Sequence, residues 1–181
     1  MSLPNLYGLV RFAAPAAEPL TLSETKQFLR VSHADDDTRI NDMMISARLL
    51  AEQWLKRSLV TQSWKLTYED ELPCYVPLPM GPVQSITSIT SISATGSSTI
   101  IPASSYALSA DKSRLLLSAA ISGHRVEIVY VAGYGTASQL PRPIKLGLLQ
   151  HIAAMYDGQI ELAPIPDAVL QYYMPFRELR L

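Results

Sequence analysis

The sequence has few reactive and few charged residues. Its 181 residues include one cysteine, Cys74, so the chain cannot form an internal disulfide or a zinc site built from several thiolates. Charged residues make up 17% of the chain, and 15 basic against 16 acidic residues give a net charge of −1. A protein that grips nucleic acid electrostatically normally carries a basic excess. We therefore expect a protein that can surround DNA without holding it.

Signals for membranes and secretion are missing as well. No apolar stretch approaches the ~20 residues that a membrane-spanning helix needs. The N-terminus lacks the basic region and apolar run of a signal peptide. We expect a soluble protein that is made in the cytoplasm and has no membrane partner.

The usual signatures of catalysis do not occur in the sequence. It contains no serine-elbow motif, no phosphate-cradling glycine loop and no His-Glu metalloprotease motif. Cys74 is a candidate reactive thiol, but a lone cysteine without an identifiable base is more often simply packed. The histidines His33, His124 and His151 share no metal-binding spacing. His151 falls inside a predicted helix, and we expect it at the surface or at an interface. We expect no enzyme, no cofactor and no metal.

The acidic stretch "SHADDDTRIND" (32–42) allows two interpretations. His33, Asp35–Asp37 and Asp42 could supply metal ligands, but the alternating ligands, glycine and late glutamate of a calcium loop are missing. Alternatively, one aspartate caps a helix and its neighbours lie in the positive first turn, each contributing about 0.3–1 kcal/mol. We favour the helix start.

The remaining composition is that of an ordered globular chain, with 48% apolar residues. Residues 1–20, with three prolines, read as an extended N-terminal arm, and residues 21–58 as an N-terminal helical part. "TLSE" (21–24) fits a capping box, in which the Thr21 side chain accepts from the amide of residue 24 and Glu24 reaches back. The short helix that follows should end near Arg30 and bury Leu22, Phe28 and Leu29.

A long helix is predicted from about Asp36 to Lys56. Its apolar stripe has helical spacing and consists of Ile40, Met43, Met44, Ala47, Leu50, Ala51, Trp54 and Leu55. Ile45 and Leu49 lie on nearly the opposite face. This second face should pack either beneath another layer of the same chain or against a neighbouring subunit.

Residues 59–135 are predicted to form an inserted β-lobe. In residues 60–70, alternation places Val60, Trp64, Leu66 and Tyr68 on one face. In residues 83–93, isoleucines recur every three positions, which predicts a bulge or a strand covered on both sides. Further strands are expected at 99–101, 106–109 and 114–118, and "RVEIVYVAG" (125–133) is the clearest buried strand.

A second helical part and a tail complete the chain. Prolines at its start and a glycine at its end indicate a helix over 141–158, within a C-terminal helical segment 136–160. Its apolar side comprises Ile144, Leu148, Leu149, Ile152, Met155 and Tyr156. Residues 161–181 form an apolar, proline-kinked docking tail. The predicted fold class is α+β, a small α-helical core with an inserted antiparallel β-lobe.

The order of these blocks resembles one family. The short helix, "LRV", acidic loop, long helix and "TQSW" strand of residues 20–66 are similar to the head–tail connector (adaptor) proteins of long-tailed bacteriophages, prophages and gene transfer agents. "PVQSITSI" (82–89), "VEIVYVAGYG" from Val126 to Gly135, "LPRPIKLGLLQHIAAMY" (140–156) and the ending from Ile165 resemble later blocks.

This resemblance implies a structural virion protein at the head–tail junction, made in the bacterial host cytoplasm. Subunits would form a ring, typically twelve-fold, under the portal protein, although isolated subunits can be monomeric. The ring would extend the DNA channel without reading its sequence and would offer a platform to the next neck or tail protein. It would perform no reaction.

The candidate partner-binding residues lie on the second face of the long helix and in the tail. They are Ile45, Leu49, Tyr172, Tyr173, Phe176, Arg177, Leu179, Arg180 and Leu181. The tail either docks on the portal or folds back on its own subunit. Two other functions stay open, namely another neck or tail-completion protein, and a small β-rich ligand-binding or enzymatic domain that uses Cys74 or Asp35–Asp37.

Overall fold

A computed structural model describes residues 6–69, 71–158 and 165–178, with the backbone alone at residues 6 and 7. The chain forms two compact units. The β unit lies within Met1–Ala16 and Thr61–Gly133, and the helical unit within Ala17–Val60 and Tyr134–Leu181. The described ranges contain α-helices and antiparallel strands, so the predicted α+β class is confirmed.

The β unit holds the strands. They are β1 (Leu6–Ala13), β2 (Gln62–Glu69), β3 (Tyr75–Pro77), β4 (Val83–Ile92), β5 (Ser98–Ile100), β6 (Tyr106–Leu108), β7 (Arg114–Leu117) and β8 (Arg125–Ala132). One sheet has the order β1-β2-β8-β4-β5 and the other the order β3-β7-β6, and every strand pairing is antiparallel. A short 3₁₀-helix, Ala103–Ser105, precedes β6.

Alternation explains the core of this unit. Side chains in a strand point to opposite faces in turn, and Trp64, Leu66 and Tyr68 of β2 are buried as predicted. Val126, Ile128 and Tyr130 of β8 join the same core, which also takes in Val76, Leu115 and Leu117 of the smaller sheet. The two sheets therefore share one apolar core.

Two predictions for this unit concern irregular backbone. The predicted bulge is present in β4, whose register against β8 shifts between Val83 and Ser85 and again between Ile86 and Ser88. The predicted N-terminal arm is extended over Leu6–Ala13, but this stretch pairs with β2 as an edge strand of the larger sheet. The β-lobe is thus built from two separate stretches of the chain.

The helical unit holds the helices. They are α1 (Leu22–Leu29), α2 (Asp37–Leu55), α3 (Arg142–Tyr156) and α4 (Asp167–Tyr173). Short 3₁₀-helices lie before α3, at Ala137–Gln139, and after α4, at Met174–Phe176. The predicted stripe of α2 lines its core, with Ile40, Met44 and Ala47 buried among residues of α3 and α4.

Helix α1 is capped as expected, since the Thr21 side chain accepts from the Glu24 amide at 3.1 Å. The Glu24 carboxylate, however, lies 2.9 Å from the Lys145 ammonium of α3. The prediction that Phe28 is buried is wrong, because its side chain is exposed. The buried position on this short helix is Thr25, one turn after Leu22.

The start of α2 also differs from the prediction. Asp36 occupies the N-cap position, but its side chain makes no capping bond. Its carboxylate accepts from the Tyr156 hydroxyl at 2.7 Å, and Asp37 pairs with Lys26. The acidic stretch does mark the helix start, yet its carboxylates serve contacts to α3 and α1 instead of capping the backbone.

Candidate partner-binding surface

Two large apolar side chains of α2 point away from its core. Ile45 and Leu49 are 40% and 38% exposed, one helical turn apart. Because i and i+4 positions are neighbours on a helix surface, they form one strip, which we call the α2 strip. The structure places this predicted site at the protein surface, where a partner can reach it.

The C-terminal segment lies against its own helical unit as far as it is described. Val169 and Tyr173 of α4 are buried, and Tyr172 and Phe176 are half-buried against the same core. The Glu178 amide donates to the Leu55 carbonyl at 3.0 Å. Residues 165–178 therefore follow the interpretation in which the tail folds back, and the side chain of Tyr173 is inaccessible to a partner in this conformation.

Arg177 fixes the end of this segment on α2. Its guanidinium lies 4.7 Å from the ring centroid of Trp54, a distance at which a cation is attracted to the aromatic face. Trp54 in turn contacts Tyr173, with ring centroids 6.3 Å apart. The remaining predicted tail residues, Leu179, Arg180 and Leu181, lie outside the described residues.

An open groove separates α2 from the C-terminal segment. Its volume is about 490 Å³, and its lining includes Leu50, Gln53, Trp54, Leu170 and Arg177. Leu50 and Gln53 adjoin Leu49 along the surface of α2, so the groove continues the α2 strip. The structure thus brings Arg177 close to the predicted strip, and we call this groove the α2–α4 groove.

Three charged residues that the sequence analysis missed are packed behind this surface. The Arg48 side chain is 5% exposed, and its guanidinium donates to Glu18 at 2.6 and 3.1 Å and to Glu52 at 3.2 Å. Glu52, 1% exposed, also accepts from the Leu59 amide at 3.0 Å. The signal was available, because residues 44, 48 and 52 follow one another at four-residue spacing along the buried stripe.

The charge of Arg48 is stabilised by this arrangement. Burial lowers its pKa, but the hydrogen bond that it donates to Glu18 and the negative charges of Glu52 and Glu18 outweigh burial, so the pKa is raised above its ordinary value. The guanidinium therefore stays protonated and holds the chain before α1 against α2, while Glu52 holds the chain after α2 through the Leu59 amide.

His151 is fully buried in α3, so the prediction that it lies at the surface is wrong. Neither ring nitrogen has a hydrogen-bond partner among the described residues, and burial lowers its pKa. The Tyr173 hydroxyl is likewise buried without a partner there, and burial raises its pKa. A neutral imidazole is the form that this apolar environment favours.

Within the described ranges, no three His, Cys, Asp or Glu side chains are grouped so as to hold a metal ion. Hydrogen bonds from Ser109 and Ser113 lower the pKa of Asp111 to about 2, but these contacts build the turn between β6 and β7. None of the described helices is long and apolar enough to cross a membrane.

Comparison with known proteins gives structural neighbours. No protein-family model matches the chain, and no curated protein matches it. The fold is similar to that of a chain in the neck of an empty gene transfer agent (GTA) particle computed with C6 symmetry. The TM-score is 0.80 and the identity 22%, over 96% of this chain and 97% of the other.

Two further solved structures agree. A chain in the virion of a native GTA particle has a TM-score of 0.81 and 22% identity, covering 96% of each chain. A chain in the neck of a native GTA particle computed with C12 symmetry has a TM-score of 0.74 and 23% identity, covering 96% of this chain and 97% of that one. Across nearly its whole length, this protein has the fold of those three chains.

Proposed function

We propose that this chain is a structural protein of a virion neck, a head–tail connector that forms a ring under the portal protein. The observation that carries the proposal is the fold shared over 96% of the chain with chains of GTA necks and virions. The ring extends the DNA channel after packaging and provides the platform for the next neck or tail protein. Its role is architectural, and it needs no cofactor.

The charge balance supports this role. Neutralising phosphates drives electrostatic binding of DNA and would retain it in the channel. With 15 basic and 16 acidic residues, the subunit lacks the excess positive charge that would slow the movement of DNA through the channel. DNA passes through such a ring without sequence-specific binding.

The exposed surface supports assembly. Closed rings require heterologous contacts, in which one surface of a subunit meets a different surface of the next. The α2 strip and the α2–α4 groove expose apolar side chains that a neighbouring subunit can cover. In this proposal the ring on the portal is a dodecamer, and Leu179, Arg180 and Leu181 bind the portal.

A second candidate is another protein of the neck, one that binds below the connector. It is favoured by the fact that the similar chains belong to structures of whole necks and a virion. Cross-linking from a cysteine placed at Leu181 distinguishes the two functions. The connector cross-links to the portal, whereas the lower neck protein cross-links to tail components.

The assembly surface is tested with the double variant Ile45→Asp and Leu49→Asp, mixed with the portal protein of the same genome. Burying a carboxylate without a partner is costly, so the variant should bind the portal at least about tenfold more weakly than the wild type, a loss typical of an interface hot spot. Analytical ultracentrifugation measures the bound fraction.

The matched control is Ser46→Asp, which adds a carboxylate at an exposed position of the same helix. The control should bind as the wild type does. Equal binding by the double variant and the wild type would remove the α2 strip from the proposed interface.

A further inference from the structure

The larger sheet of the β unit is open at both ends. Its order is β1-β2-β8-β4-β5, and among the described residues no strand pairs with the outer side of β1 or of β5. An open edge presents unpaired backbone amides and carbonyls, and it is a template for pairing with another chain. One subunit therefore carries two different edges that can accept a strand.

Exposed apolar side chains lie at both of these edges. On β1, Val10 and Phe12 are 60% and 61% exposed, and on β5 Ile100 is 73% exposed. Such side chains on an edge strand are the feature that monomeric proteins usually avoid. Both edges are therefore suited to being covered.

The strand register places these side chains on the same face of the sheet. Val10 is opposite Lys65 in β2, and the Lys65 ammonium lies 5.9 Å from the Phe12 ring centroid. Ile100 is opposite Thr90, and Thr90 is opposite Glu127, which pairs with Lys65 at 3.3 Å. Directly opposite residues share a face, so the apolar residues of both edges stand on the face that carries Lys65 and Glu127.

Few charged side chains lie on these edge strands, where they would discourage pairing with another chain. The sequence contains no Asp, Glu, Lys, Arg or His from residue 72 to residue 110, a stretch that includes all of β4 and β5. On β1, the Arg11 guanidinium lies 5.3 Å from the ring centroid of buried Trp64, on the opposite face from Val10. A strand that pairs with the β5 edge would therefore bury no charged side chain of β4 or β5, and burying charge is the main cost of such contacts.

We propose that the β1 edge of one copy pairs with the β5 edge of the next copy, so that the larger sheets continue from subunit to subunit around the ring. Because successive strands of the sheet are antiparallel, β1 and β5 run in the same direction. Rotation about a ring axis along the strands keeps that direction, and the new contact is a parallel pair. Ile100 of one copy then lies beside Val10 or Phe12 of its neighbour.

A second copy is the partner that the sheet itself specifies. One subunit supplies both edges, and each edge has its apolar residues on the corresponding face. Pairing of unlike edges is heterologous and forms a ring when the rotation between copies closes, whereas pairing of β1 with β1 would stop at a two-fold dimer. This inference rests on the proposed ring, but it concerns which surface closes the ring.

Disulfide trapping tests the proposal, using the chain with Cys74→Ser to remove the native thiol. The double variants Val10→Cys with Ile100→Cys and Phe12→Cys with Ile100→Cys are assembled on the portal and oxidised. We expect at least one of them to give a ladder of covalent oligomers that reaches the full ring. Each single variant should remain monomeric on a non-reducing gel.

The outcomes separate this inference from the proposed function. Rings seen by electron microscopy without a ladder from either double variant would overturn the edge contact and leave the ring in place. Dimers from a single variant would show like-edge pairing and also overturn it. If neither rings nor ladders form, the proposed function and the inference both fail.

Substitution without new cysteines provides an independent measurement. Phe12→Asp should raise by about tenfold the subunit concentration at which half of the binding sites on the portal are occupied. The matched control is Tyr75→Asp, which replaces a side chain that is 70% exposed on the smaller sheet. The edge contact is wrong if the two variants assemble equally well.

Discussion

Arg48, Glu18 and Glu52 form the most buried charged group that is described in the helical unit. A buried ion pair gains little over an apolar pair of the same shape, but removing one partner leaves a charge without compensation. Removal of Arg48 would affect Glu52 most, because the Glu52 carboxylate also accepts a hydrogen bond from the Leu59 amide and its side chain is almost fully enclosed. The group therefore adds little to stability while it is intact, but the loss of a single member is costly.

Arg48→Met should therefore destabilise the protein by about 3–5 kcal/mol, the usual loss when one member of a buried pair is removed. Urea unfolding followed by circular dichroism measures the change. Adding Glu52→Gln, which keeps an acceptor for the Leu59 amide, should recover part of the loss. A change below about 1 kcal/mol in the single variant would contradict the role assigned to Arg48.

His151 predicts a pH dependence of stability. Burial lowers its pKa in the folded state below the ordinary value of 6.5, so the unfolded chain binds more protons below that pH. The stabilising contribution of the neutral imidazole is present above pH 6.5 and is lost as the pH falls through this value toward the lower folded pKa. Thermal unfolding should show a decrease in Tm between pH 7.5 and pH 5.5.

The variant His151→Met should have a smaller decrease in Tm over this range, because it carries no imidazole to protonate. His124→Gln is the matched control, since His124 is exposed, and its Tm should follow that of the wild type. An unchanged pH profile in His151→Met would show that the buried histidine does not cause the dependence.

At the scale of elements, the long periodic segments were the most predictable. The stripe of α2 and the alternation of β8 each repeat many times, so their faces follow from the sequence. Local spacing was less informative where the partner is distant in the chain. The acidic stretch marked the start of α2 correctly, but the expected capping bond is absent because Asp36 and Asp37 contact α3 and α1 instead.

The pairing of edge strands and the packing of distant helices could not be predicted from the sequence. The prolines before and after Leu6–Ala13 led to the prediction of an extended arm, and only the pairing with β2 makes this stretch part of a sheet. Similarly, His151 is buried one helical turn after Gly147, which α4 approaches closely, and nothing in the residues near it in sequence indicates this burial. Helical periodicity placed Ile45 and Leu49 on the face opposite the stripe, but it left open whether the same chain covers them. The structure shows both side chains exposed, and their role as partner contacts stays a prediction.

The contact between α3 and α4 depends on one glycine. A Cβ built at Gly147 would lie 2.5 Å from the Tyr173 ring and 3.1 Å from the Tyr172 Cβ, closer than packed atoms allow. Gly147→Ala gains up to about 1 kcal/mol of helix propensity, but forcing an atom into this contact typically costs 1–3 kcal/mol. We expect net destabilisation and faster proteolysis in the segment from residue 165 onward.

A double-mutant cycle with Tyr173→Leu checks this cause. The smaller side chain makes room for the new methyl group, so Gly147→Ala should cost less in the Tyr173→Leu background than in the wild type. Equal costs in the two backgrounds, measured by urea unfolding, would show that the clash with Tyr173 is not responsible.

At the scale of the whole molecule, the chain alternates between its two units. It begins in the β unit, builds α1 and α2, returns to complete both sheets, and ends in the helical unit. Each unit has its own apolar core and each leaves apolar side chains exposed. We propose that these exposed residues contact further copies of the chain and the portal.

We propose above all that copies of this chain close into a ring on the portal protein. Cryo-electron microscopy of the chain mixed with the portal of the same genome tests this directly, at protein concentrations well above the dissociation constant of a single subunit for the portal. We expect a closed ring of twelve subunits around a DNA-sized channel, seated on the portal. Portal particles that remain bare while the folded chain stays monomeric in the same sample would contradict it.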